Sequence, residues 1–169
     1  MRLLLFIFSL FFIQTCFSQA GTEDLAIARI QYVYKVKKII GNKAWPTFGN
    51  EKYNIPILYF SGDTTFIANP HAKLIQQFTP TKIFQKKDLV IYRLDHRLDT
   101  VRLRMLTTIS FGPDTSLYDY NDPYMKCNSR EEFIQVTPFK PDTRGWLNII
   151  MHEFFHGFAG IFREDLVQS

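Results

Sequence analysis

Apolar residues fall along this chain in runs of different period, and each period predicts a different element. Residues 3–12 are almost unbroken Leu, Phe and Ile, preceded by Met1-Arg2 and followed by the small residues of Ser18-Gln19-Ala20. That order is a secretory leader, residues 1–20, cleaved after Ala20 or alternatively after Ser18. Its apolar core is too short to span a bilayer comfortably. From 22 to 41 the spacing changes. Ala26, Ile30, Val33 and Ile40 recur at helical intervals, while Arg29, Lys35, Lys37 and Lys38 take the other sides, so an amphipathic helix is expected. Thr22 can cap it, Glu23 and Asp24 suit its positive end, and Gly41-Asn42 stops it.

The middle of the chain reads as strand. After a loop over 41–54, the β-prone runs 55–60 and 64–68 flank Ser61-Gly62-Asp63 and predict a hairpin, which Asn69-Pro70-His71 closes. Residues 78–87 stay open between a short helix and a further strand edge. Residues 88–94 and 101–110 are strand candidates. Between them Asp95, His96 and Asp99 read as a solvated charged turn rather than a metal cluster, and His71 reads as an exposed loop residue. Gly112-Pro113-Asp114 breaks the sheet. Residues 115–130, rich in Tyr, Asp and Asn, read as a long irregular loop, a kind that is often functional; its tyrosines are candidate hydrogen-bond donors. The alternation at 133–137 predicts a strand. Pro138 and Pro141 then lead into a final helix capped by Asp142 or Thr143.

That helix carries the chemistry. His152-Glu153-Phe154-Phe155-His156 has the pattern H-E-x-x-H, whose spacing of four sets both imidazoles one turn apart on one face, within reach of a single ion. At about 100° per residue, Glu153 lies about 100° round the helix from His152 and about 60° from His156. It flanks the metal position without needing to bind it, which suits a base acting on water that a metal activates. Leu147, Ile150, Phe154, Phe158 and Ile161 form a broad apolar arc with Met151 at its edge. Gly145, Asn148, His152, His156 and Gly160 fall on a separate narrow arc, of little use to a helix that only fills a core.

These residues resemble the zinc-binding helix of the zincin metallopeptidases. The resemblance implies His152 and His156 as zinc ligands, Glu153 as general base, a third protein ligand further along, and a peptide or protein substrate held in extended form on a sheet edge near the helix. The run 133–137 and the hairpin are the candidate edges. Asn148, one turn before His152, is a candidate partner for a ligand. The longer pattern H-E-x-x-H-x-x-G-x-x-H is excluded, because Ala159 and Phe162 occupy its Gly and His positions. In a continuing helix, Glu164 would lie roughly 12 Å along the axis from His156, too far to share the ion. Either Glu164 or Asp165 would need a sharp turn at Gly160 to return. The third ligand is therefore expected beyond residue 169, in a longer parent chain.

Composition narrows the picture. The net charge of +4 falls to +3 once Arg2 leaves with the leader, and its lysines are spread in short runs, so solvated faces are expected rather than a nucleic-acid surface. Cys16 is a poor lipid-attachment site behind Gln14-Thr15. Without the leader Cys127 is the one cysteine, so stability must come from the core. The expectation is an exported α+β domain over 21–169, resembling a zincin N-terminal subdomain, with a small mixed or antiparallel sheet, a C-terminal active-site helix and no stable membrane insertion. Its function would be zinc-dependent peptide hydrolysis. The alternative is a non-catalytic exported binding protein that uses the hairpin and the Tyr-rich loop, with histidines that are structural or bind metal without turnover.

Overall fold

The hairpin lies at the middle of the sheet. Strands β1 (Ile57–Ser61) and β2 (Thr64–Ala68) pair antiparallel from Ile57↔Ala68 to Ser61↔Thr64. Gly62 turns the corner at φ 57°, a conformation that costs glycine nothing. The computed structural model describes the backbone of residues 2–99, 105–111, 118–138 and 142–168, with side chains at 21–99, 105–107, 123–138, 142–159 and 161. Among these, β3 (Thr81–Lys86), β4 (Leu89–Leu94), β5 (Met105–Phe111) and β6 (Tyr118–Asn128) complete a six-stranded sheet in the order β3-β4-β2-β1-β6-β5. Only the β1–β6 pair is parallel, so the sheet is mixed and the fold is α+β. Its two edges are β3 and β5.

Helices α1 (Arg2–Ala44) and α4 (Thr143–Gln168) cover one face. Ala26, Ile30 and Val33 of α1 and Trp146, Ile150, Phe154 and Phe158 of α4 pack on Ile57, Tyr59, Phe66, Ala68, Ile91, Met125 and Cys127. The alternate strand residues Leu58, Phe60, Ile67 and Leu94 face the other way, onto Leu74 of the short helix α2 (Ala72–Phe78). Strands covered on both faces are apolar without alternation, which is why 55–60 reads as one continuous run. Burying each such Ile, Leu or Phe contributes about 1.5–3 kcal/mol.

Several local expectations change. Residues 78–87 resolve into the end of α2 followed by β3. The expected loop at 115–130 holds β6, whose Met125 and Cys127 face the core, with the thiol buried and unpaired. Its Asp and Asn content disguises a strand whose register against β5 shifts between Thr108 and Ser110. Of the expected strand at 133–137, residues 133–136 instead close α3 (Arg130–Val136), and Thr137 is its extended C-cap. Ser129 caps that helix by accepting from the Glu132 N–H at 3.2 Å. A Ser followed three residues later by Glu is a helix-start signal, and it outweighs two-residue alternation over five positions. Glu132 also accepts from the Gly62 N–H at 2.6 Å and from Asn128 Nδ2 at 2.6 Å, pinning α3 to the hairpin turn and the end of β6. Thr22 does not start a helix, because α1 runs through it, and Glu23 pairs with Arg93 at 2.6 Å. The side chains of the expected leader lie outside the described residues. Among the described residues no helix is long and apolar enough to cross a membrane.

Lys37 departs furthest from expectation. It belongs to a lysine run, yet it is fully buried. It follows Ile30 and Val33 by seven and four residues, so it sits on the inward stripe. Its Nζ donates to the Phe48 carbonyl at 2.7 Å and lies 5.0 Å and 5.6 Å from the ring centres of Phe48 and Phe154. Burial lowers its pKa from 10.5 to about 8. Between about pH 8 and 10.5 the unfolded chain therefore binds a proton that the folded chain has released, and Lys37 makes stability rise with pH across that window. Cys127, Tyr34 and Tyr59, all pushed up by burial, act in the opposite direction at high pH. The measurement is consequently a difference: melting temperatures of wild type and Lys37→Met, taken from pH 7.5 to 10, should converge upward for wild type relative to the variant. Parallel curves would show that Lys37 does not titrate there.

Candidate metal centre

The site begins with how α4 is seated. Asp142 caps it, Oδ1 accepting from the Gly145 N–H at 2.9 Å, and that bond with the Arg144 contact holds the Asp142 carboxyl below its usual range. From there Trp146, Ile150, Phe154 and Phe158, each four residues apart, turn inward and are buried. Trp146 Nε1 donates to the Asn128 carbonyl at 3.3 Å. The Phe154 ring meets Tyr34 edge-on at 5.6 Å, and Phe158 meets Tyr53 at 5.0 Å. Gly157 lies so close to Ile55 that an added Cβ would fall 2.7 Å from its Cδ1, so the helix touches the entrance to β1 at backbone distance.

With that face fixed, the opposite face must meet solvent, and it carries the histidines. His152 and His156 are both exposed, and Asn148 is exposed beside them. Their Nε2 atoms are 3.0 Å apart, with the rings nearly perpendicular at 87°. Two nitrogens on one tetrahedral zinc, each about 2.0–2.1 Å from it, would be separated by roughly 3.3–3.4 Å. The imidazoles need move only a few tenths of an ångström to share an ion. Glu153 brings a carboxylate oxygen, and the ligating atoms of the three residues all lie within 4.8 Å of one another. The group of His152, Glu153 and His156 can hold a metal ion, and among the described residues it is the one such cluster of three. On this face both rings meet solvent.

Glu153 has a second engagement that the sequence did not suggest. Its Oε2 accepts from the Thr107 backbone N–H at 2.6 Å, while the Thr107 hydroxyl donates to the Glu153 carbonyl at 2.6 Å. Thr107 lies on β5, the sheet edge beside α4. Neither of the expected substrate edges survives: the hairpin is interior to the sheet and 133–136 is helical. The edge next to the histidines is β5. On the other flank of α4, Phe155 meets the half-exposed Trp45 edge-on at 5.9 Å.

Other sequence candidates are not drawn in. His96 is exposed, with its carbonyl accepting from the Thr65 hydroxyl; Asp99 is buried and paired with Lys126 at 3.3 Å. His71 caps α2, its Nδ1 accepting weakly from the Leu74 N–H at 3.4 Å. α4 continues unbroken past Gly160, so the turn that could return Glu164 or Asp165 to the ion is not made; their side chains, like those at 115–122, lie outside the described residues. A cavity of about 400 Å³ lies elsewhere, lined by Tyr34, Lys38, Glu51 and Asp88 among others. Comparisons of this chain with models of protein families, with curated proteins and with solved structures found no match.

Proposed function

We propose that this chain is a zinc-dependent hydrolase, a zincin-type metallopeptidase that works outside the cytoplasm on peptide or protein substrates. The observation that carries this reading is the convergence of His152 Nε2 and His156 Nε2, 3.0 Å apart, on a solvent-facing helix surface beside the Glu153 carboxylate. His152 and His156 would hold the zinc. Bound there, zinc supplies a Lewis acid that polarises the scissile carbonyl and makes water more acidic. Glu153 takes the proton from the attacking water and passes it to the leaving amine; Oε1, the oxygen not bonded to Thr107, is the one available for this. The outer edge of β5 is the backbone surface on which an extended peptide would lie. The leader-like order of residues 1–20 in the sequence supports the export part of this reading.

The non-catalytic reading draws on one specific observation: the bond from Thr107 makes Glu153 useful simply as a cover for the strand edge. Zinc titration of the metal-stripped protein tests the parent assignment. One equivalent should bind, and His152→Ala or His156→Ala should each weaken the affinity by at least about 100-fold, since each removes a first ligand. Absence of binding, or binding indifferent to both substitutions, would remove zinc from the site and hydrolysis with it.

A further inference from the structure

The two bonds between Thr107 and Glu153 join residues 46 apart in sequence, one on the sheet edge and one on the histidine helix. Thr107 lies opposite Met125 of β6, yet its N–H points to Glu153, away from the ladder. In an antiparallel pair the residues at such a position turn both N–H and C=O outward, so this amide is free of sheet pairing and available to the helix. Thr107 is almost fully buried, and the donor is backbone, fixed by the strand rather than by a rotamer.

We infer that the Thr107 backbone amide is the positioning group for the general base, a role that rests on the hydrolase reading above. A glutamate on an exposed helix face has three rotatable bonds and would spend most of its time in solvent. Tying Oε2 to a strand amide holds the carboxylate beside the two imidazoles and leaves Oε1, which has no hydrogen-bond partner among the described residues, to accept a proton. The Thr107 hydroxyl, bonded to the Glu153 carbonyl, locks the same helix turn to the same strand residue, so the base and the β5 edge keep a constant separation. An extended substrate lying along β5 would then meet the base at a set height, without needing the Thr107 amide that Glu153 occupies.

The amide can be removed without disturbing the sheet. Proline at an edge position whose N–H is not in the ladder loses no strand pairing. Thr107→Pro deletes both bonds, whereas Thr107→Val deletes only the hydroxyl bond, and their difference isolates the amide. With zinc-loaded protein and a peptide substrate, Thr107→Pro should lower kcat by about 100-fold, as misplacement of a catalytic group does, with KM and zinc stoichiometry unchanged. Thr107→Val, which keeps the amide bond to Oε2 and loses only the hydroxyl bond, should lower kcat far less than Thr107→Pro. A second measurement needs neither turnover nor a folded proline variant: in metal-free wild type the Thr107 amide proton should resonate far downfield, and Glu153→Ala should move it upfield. Equal kcat in both Thr107 variants, a loss confined to KM, or an amide resonance indifferent to Glu153→Ala overturns the inference. A wild type that holds zinc and hydrolyses nothing would instead sink the hydrolase reading, and the positioning role with it.

Discussion

Glu153→Gln is expected to keep zinc at one equivalent and to lose hydrolysis by about 10²–10⁴-fold in kcat, the contribution typical of a positioned general base. The substitution is a narrow one. Gln retains an oxygen that can accept from the Thr107 N–H, so the link between β5 and α4 should persist, along with the fold. It removes only the capacity to take a proton. His152 and His156 remain one turn apart on the same rigid helix, so metal analysis of the purified variant should match wild type. The two readouts together separate the candidate readings. Zinc retained with turnover gone supports the base; zinc retained with wild-type turnover rules out the role assigned to Glu153. A smaller loss shared between kcat and KM would point to a substrate contact instead.

Phe154→Ala, inside the same motif, is expected to act through stability. Its ring is fully buried, packed edge-on against Tyr34 and under the Lys37 ammonium. Truncating a buried Phe costs about 3–5 kcal/mol, a large share of the roughly 5–15 kcal/mol that holds a domain folded. The melting temperature should fall by about 10 °C, and the midpoint of denaturant unfolding should fall with it. The neighbouring His156→Ala makes the contrast. That imidazole is exposed, so its loss in the metal-free protein should change stability by no more than about 0.5 kcal/mol. If both substitutions destabilised the metal-free chain equally, the inward and outward faces of α4 would have been assigned wrongly.

These expectations differ because α4 has two faces, and that division is local. Every fourth residue from Trp146 to Phe158 is large and apolar, and the histidines lie off that row. Once the apolar row is buried, helix geometry alone turns His152 and His156 outward. For the same reason the hairpin, β4 and the final helix were legible: each is specified by residues within a few positions of one another. Lys37 was legible too, in its spacing from Ile30 and Val33, but its charge argued against the periodicity. The Ser129–Glu132 start signal of α3 is likewise present in the sequence, beside a short alternation that points the other way.

What no local pattern could decide is which strand lies beside the motif. β6 inserts parallel to β1 and carries β5 to the sheet edge, so the strand that meets Glu153 is chosen by the order of the whole sheet. Thr107 is an ordinary residue in an ordinary strand by sequence, with nothing in its neighbours to distinguish it from Thr108. It gains its partner only because α4 crosses that edge, 46 residues further along the chain. By itself the sequence determined a helix that presents two histidines and a carboxylate on one side. The tertiary structure decided what the carboxylate is tied to, because a backbone donor can be supplied only by a strand whose place in the sheet depends on every other strand.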